Sequence, residues 1–158
     1  MKSISLLLGL LLFGQAIGQT TSTERKYIVL PRPAAVQNAP FSEGVLAGDT
    51  LYVAGQIGMD PTTGKPGATP EQEARLAMEA VKRVVTQAGL NMDDLVSVQV
   101  FCSDVTNFDA FNGVYRTYFH GNFPARAFLG SGTLLFGARY EVNGIAIKRD
   151  VAGMRLVK

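Results

Sequence analysis

The segment Thr69-Pro70-Glu71-Gln72-Glu73-Ala74-Arg75-Leu76-Ala77-Met78-Glu79-Ala80-Val81-Lys82-Arg83-Val84-Val85-Thr86-Gln87-Ala88-Gly89, followed after a short link by Leu95 to Asp104 (LVSVQVFCSD), decides the fold class. In its first part Ala74, Met78, Val81, Val85 and Ala88 recur at spacings of four and three. That is the apolar stripe of an amphipathic helix. Thr69 stands where an N-cap belongs, Pro70 at the first helical position, and Gln72 completes a Thr-x-x-Gln capping box. Gly89 is the expected stop. Glu79 and Arg83 are placed to pair on the outer face. After the link the period falls to two: Val96, Val98, Val100 and Cys102 alternate with their neighbours, which is strand patterning. Helix and strand in immediate succession imply a helix laid on a sheet.

The same signals extend in both directions. Upstream, Tyr27 to Leu30 reads as a short strand ended by Pro31 and Pro33. Gly44 to Ala47 and Thr50 to Gly55 flank Gly48-Asp49, a pair suited to a tight hairpin turn. Asp60 to Gly67 is a loop by its turn residues. Downstream, Thr106 or Asn107 is expected to cap a second helix with the stripe Phe108, Phe111, Tyr115 and Tyr118 or Phe119, ending at Gly121. Ala125 to Leu129 and Arg139 to Lys148 read as strands joined by the Gly-rich segment Gly130 to Gly137. The expected architecture is α+β, one mixed sheet of about six strands with two helices on one face. Ile145-Ala146-Ile147 and Leu134-Leu135-Phe136 are apolar at consecutive positions, so both faces call for burial. Cover for the second face must come from another copy, which predicts a closed homo-oligomer.

At the amino end, Met1-Lys2-Ser3, an apolar run from Ile4 to Phe13, and Ala16-Ile17-Gly18 form the charged, apolar and small-residue regions of a secretory signal peptide. The run is about half of the roughly 20 residues that a membrane span requires, so an anchor is disfavoured. Residues 1–18 are therefore expected to be removed, leaving no span. Residues 19–34 then form a polar leader and first strand, and residues 35–158 the functional domain. The location expected is outside the cytoplasm, periplasmic or secreted.

Composition excludes several mechanisms. The net charge of +2, or +1 once Lys2 is lost, and the scattering of basic among acidic residues argue against nucleic acid as a partner. With one cysteine, Cys102, there is no intrachain disulfide. One cysteine and one histidine, His120, cannot supply an ordinary zinc site. A Ser-His-Asp triad would have to use His120, which sits at a helix end where an imidazole commonly complements the helix dipole. Cys102 reads as a small buried residue of its strand.

Parity along the last strand singles out one carboxylate. Glu141, Asn143, Ile145 and Ile147 share a face. A carboxylate beside two isoleucines needs a cationic or hydrogen-bonding partner. The candidate is Arg126, which shares a face with Phe128, and an arginine fork beside an aromatic ring suits a planar carboxylate. The residues alone leave three readings open: a receptor site, a plain Arg126–Glu141 ion pair, or a Glu141 exposed at the strand start. Arg139 and Arg75 are expected to be solvated surface charges. Asp104 and Asp109 are expected at a turn and a helix start.

Val53-Ala54-Gly55-Gln56-Ile57, Phe111-Asn112-Gly113-Val114-Tyr115 with Tyr118-Phe119, Pro124-Ala125-Arg126, and Glu141 with Ile145-Ala146 together resemble the Rid (YjgF-type) family of reactive-intermediate deaminases over roughly residues 35 to 150. The resemblance implies a chorismate-mutase-like fold, a homotrimer, and clefts between neighbouring subunits. It implies hydrolysis of enamines and imines, such as 2-imino acids, to 2-keto acids and ammonia, with no metal or cofactor. On this chain Arg126 would grip the substrate carboxylate, and Glu141 would orient and deprotonate water. Backbone N–H groups near Gly55 and Phe128 would hold substrate, Asn112 would support the cleft, and Phe41 would line it. Deaminating members usually carry tyrosine where this chain has Phe41, serine where it has Ala54, and often cysteine where it has Phe128. A more apolar cleft follows, and with it the alternative of a carboxylate-binding module without turnover. The endoribonuclease activity attached to older names of the family is disfavoured by the weak charge.

Overall fold

The computed structural model describes residues 24–31 and 38–149. Its elements are β1 (Arg25–Ile28), β2 (Gly44–Ala47), β3 (Thr50–Ile57), α1 (Pro70–Gln87), β4 (Leu95–Cys102), α2 (Phe108–Tyr115), β5 (Ala125–Gly130) and β6 (Tyr140–Ile147). The strands form one six-stranded sheet in the order β1-β2-β3-β6-β4-β5. Only β4 and β5 pair in parallel. Strands β3 and β4 are both antiparallel to β6, so they run parallel to each other with β6 inserted between them. This is a split βαβ unit crossed by α1, and α2 makes the second crossover from β4 to β5. The expected α+β class, strand number and helices on one face are all present. The signal segment, residues 1–18, lies outside the described residues. Among the described residues, no helix is long and apolar enough to cross a membrane.

Helix α1 carries the fold. Thr69 Oγ1 accepts from the Gln72 amide at 3.2 Å, as the capping box requires. Gln72 Oε1, however, accepts from the Ala68 amide at 3.1 Å, one residue upstream of the cap. Gly89, at φ +85°, ends the helix in a conformation that glycine adopts without strain. The predicted stripe is buried, and so is a second row, Glu73, Ala77, Ala80 and Val84. The helix is thus sunk deeper into the sheet than one stripe requires. Each fully buried valine or methionine contributes about 1.5–3 kcal/mol relative to exposure. Glu79 takes the Tyr118 hydroxyl at 2.9 Å, where pairing with Arg83 was expected.

Glu73 overturns the reading of Arg139 as a solvated charge. Its fully buried carboxylate accepts from the Arg139 amide at 2.5 Å, the Tyr140 amide at 3.1 Å and the Arg139 guanidinium at 2.7 Å. Gly58 and Gly67 let two other segments press against the Glu73 backbone, where a Cβ would collide. The start of β6 is thereby fastened to the first turn of α1.

Two other expectations change. Neither Thr106 nor Asn107 caps α2 with its side chain. Asp104 instead accepts from the Thr106 amide at 3.0 Å and its hydroxyl at 2.7 Å, capping a 3-10 turn, Val105–Asn107, that leads into α2. The Thr106 hydroxyl and amide hold the Asp104 carboxyl below the usual carboxylate range. Leu134 to Phe136, an apolar run within the joining segment that was expected to call for burial on both faces, belongs to an exposed turn in which Phe136 has φ +60°. Flanking glycines at 130, 132 and 137 favour the turn over a pleat.

The core lies between the helices and one sheet face. Leu51, Val53, Leu95, Val98, Val100, Cys102, Tyr140, Val142 and Ala146 point into it. The opposite face is open: Tyr27, Val45, Tyr52 and Ile145 stand side by side across four strands. Tyr27 and Tyr52 are more than half exposed, and Ile147 is 44% exposed. The uncovered face expected from the apolar run at Ile145 to Ile147 is therefore there.

Candidate active site

Strand register separates the predicted residues into two groups. Arg126 of β5 pairs with Val98 and Phe128 with Val100, both core residues, so Arg126 and Phe128 stand on the helix-covered face. Glu141 of β6 pairs with Phe101, three residues further along β4 and hence on the open face. Strand β4 runs between the two. Arg126 and Glu141 of one chain do not meet, and an intrachain ion pair between them is ruled out. Alternation along a strand reports faces correctly but cannot report which strand is inserted between two others.

The Arg126 group is tightly arranged. Arg126 Nη2 donates to Asn112 Oδ1 on α2 at 2.7 Å. The guanidinium carbon lies 4.5 Å from the Tyr115 ring centroid, 5.8 Å from Phe128 and 5.9 Å from Phe108. Cation–π attraction and one anchored nitrogen fix the plane of the fork and leave donors for a ligand. The Tyr115 hydroxyl is buried and finds no hydrogen-bond partner among the described residues. Desolvation pushes it up to about 12, against a smaller opposing effect of Arg126. Asn112, Tyr115, Arg116, Phe123, Pro124 and Arg126 line a shallow pocket of about 230 Å³ at the free edge of β5. The sequence named Tyr115 as helix stripe and within the family-like segment, without a role; its place under the guanidinium needs the register of β5.

The second group is Gly55 and Glu141. The β3–β6 register shifts between Val53 and Gln56, so Ala54 and Gly55 together face one residue of β6. This bulge brings the Glu141 carboxylate directly over Gly55, where a Cβ would run into Oε1. Glycine is required here for close approach rather than for a turn. Phe41 is 53% exposed in the segment before β2.

A larger groove of about 620 Å³ lies elsewhere, beside α1, and contains none of these residues. Its polar side chains are largely satisfied: His120 Nδ1 lies 3.4 Å from Asp93, Tyr118 donates to Glu79, and Arg149 donates to Asp94 at 2.5 Å. His120 is almost fully exposed, while Cys102 is buried with Sγ 3.0 Å from the Asp104 carbonyl. Burial pushes the Cys102 thiol up, away from the reactive thiolate.

The geometry that one chain offers is two separate groups. One is a fixed guanidinium at a sheet edge. The other is a carboxylate on an uncovered face. Residues 32–148 match the family model described as Endoribonuclease L-PSP. The 2-iminobutanoate/2-iminopropanoate deaminase of Rattus norvegicus is 39% identical over 118 residues, 73% of this chain and 84% of that protein. The solved YjgF gene product of E. coli is 33% identical with a TM-score of 0.72, covering 78% of this chain and 99% of that one. E. coli TdcF, solved with bound serine, is 31% identical with a TM-score of 0.71 over 78% of this chain and 100% of its own. The chain therefore belongs to the endoribonuclease L-PSP family, the YjgF/Rid proteins that its Pro124-Ala125-Arg126 segment and Glu141 resemble.

Proposed function

We propose that this protein hydrolyses 2-imino acids, and their enamine tautomers, to 2-keto acids and ammonia in clefts formed between copies of a homotrimer. The observation that carries the reading is the division of the site: Arg126 and Glu141 occupy opposite faces of one sheet, so a cleft holding both draws on two copies. The open sheet face supports the same assembly. Relatives at 34–39% identity are named 2-iminobutanoate/2-iminopropanoate deaminases.

In the cleft, Arg126 holds the substrate carboxylate through charge-assisted bonds from the donors that Asn112 leaves free. Glu141 from a neighbouring copy removes a proton from water as its oxygen bonds to the imine carbon. The C=N electron pair moves to the protonated nitrogen, which becomes a neutral amine. The resulting carbinolamine loses its hydroxyl proton, forms C=O, and breaks the C–N bond, with nitrogen protonated to leave as ammonia. A protonated imine is already electrophilic, so positioning and one base suffice.

Export with removal of residues 1–18 is part of the same proposal. Intact mass of protein from its native envelope should correspond to a chain starting at Gln19; a retained Met1 contradicts it. The activity itself is tested by ammonia release from freshly generated 2-imino acids. Wild type should release ammonia, and Glu141→Gln should lower turnover by about 10²–10⁴-fold while still binding a stable 2-keto acid. Equal rates for the two proteins contradict the role of Glu141. Keto-acid binding without turnover in wild type would identify a binding module instead.

A further inference from the structure

We infer that Glu43 and Gln56 are positioning residues for Glu141, acting through the bulge in β3 that sets where its carboxylate stands. The inference rests on the deaminase reading for what Glu141 does; the bonds that hold the bulge are independent of it. A bulge takes its extra residue out of the ladder and leaves that residue's backbone groups to be satisfied elsewhere. Here the residue is Ala54. The β2–β3 register ends at Gly44 opposite Val53, and the β3–β6 register resumes only at Gln56. The Ala54 N–H donates to the Glu43 carbonyl at 2.9 Å, and the Ala54 carbonyl accepts from Gln56 Nε2 at 3.2 Å.

Glu43 is itself held. It is 7% exposed, and its Oε2 accepts from the Leu30 amide at 3.1 Å, which ties the approach to β2 to the chain leaving β1. At the neighbouring Gly44 a Cβ would come within 2.7 Å of Val84 Cγ1, so the start of β2 lies hard against α1. The bulge is thus fixed from one side by a backbone that cannot move inward and from the other by the Gln56 amide. Gly55 follows directly, and the Glu141 carboxylate rests on its backbone. Loosening either hold lets Gly55, and the carboxylate over it, drift from the water that Glu141 must deprotonate. Arg126 stands on the other face of the sheet, and β6 and β4 lie between its strand and the bulge. The guanidinium that captures the carboxylate therefore does not move with Gly55.

The test uses three variants of the whole protein. In Gln56→Leu and Glu43→Ala, kcat for ammonia release from a 2-imino acid should fall by about tenfold or more, while 2-oxopropanoate binding by calorimetry stays within about threefold of wild type. Glu43→Gln keeps an acceptor for the Leu30 amide and should restore kcat to within about threefold. Exchange of the Ala54 amide hydrogen should rise by about tenfold or more in the first two variants and stay near wild type in the third. Wild-type kcat in Gln56→Leu or in Glu43→Ala overturns the role of that residue. Turnover and binding that fall together overturn the inference as well, since they show a general loss of structure. If wild type itself releases no ammonia, the deaminase reading fails alone. Ala54 exchange then still decides whether Glu43 and Gln56 hold the bulge, and unchanged exchange overturns that.

Discussion

Gly55 and Glu141 show how a single side chain can be placed by the absence of another. The bulge in β3 turns the Gly55 backbone toward the carboxylate, and no Cβ fits between them. Gly55→Ala should leave the melting temperature close to wild type, because the displaced neighbour is the end of a flexible side chain. Turnover should fall by about 10²-fold, the usual effect of moving a catalytic group by an ångström. A variant with wild-type kcat would show that the close approach is unimportant. Arg126→Ala should fail at capture instead. Charge-assisted bonds contribute about 1.5–3 kcal/mol each, so keto-acid affinity should drop tenfold to several hundredfold by calorimetry. Arg126, Glu141 and Asn112 could be singled out in the sequence as candidates, through parity and the family resemblance. Their grouping could not be: parity assigns faces within a strand, whereas the insertion of β4 between β5 and β6 is a property of the topology.

At the scale of elements, α1, β3 and β4 were readable because their apolar periods are clean and their ends carry Thr69, Gly48 and Gly89. The second turn chemistry was harder. Asp104, not Asn107, caps the approach to α2, since a 3-10 turn precedes the helix and shifts the capping position upstream. Glu73 was missed because an acid in a first helical turn normally complements the dipole from solvent. A signal existed: Glu73, Ala77, Ala80 and Val84 repeat at four, three and four, which places the glutamate on a buried row. Removing one partner of a buried pair typically costs about 3–5 kcal/mol, so Glu73→Ala should lower stability by that order in urea denaturation. A loss below about 1 kcal/mol would mean that the Arg139 and Tyr140 amides find other acceptors or water.

For the whole molecule, burial of tyrosines gives a pH signature. Desolvation raises Tyr115 to about 12 and raises Tyr118 and Tyr140 further. A raised folded pKa means that the native state binds more protons than the unfolded state above pH 10. Stability should thus be level below about pH 10 and fall between there and about pH 12. Thermal melts across that window check it, and a flat profile would contradict the burial of these hydroxyls. Assembly is the larger matter: the proposed trimer would cover the open apolar face and bring Arg126 of one copy to Glu141 of another.

Co-expression of Arg126→Ala with Glu141→Gln tests that account most directly. Each variant alone should lack one half of every cleft. If Arg126 and Glu141 act from different copies, mixed assemblies contain clefts with both native residues, about one in four for random association in a cyclic oligomer. Ammonia release from the mixture should then recover to about a quarter of wild type. Recovery no greater than the sum of the two separate variants would contradict a cleft shared between copies.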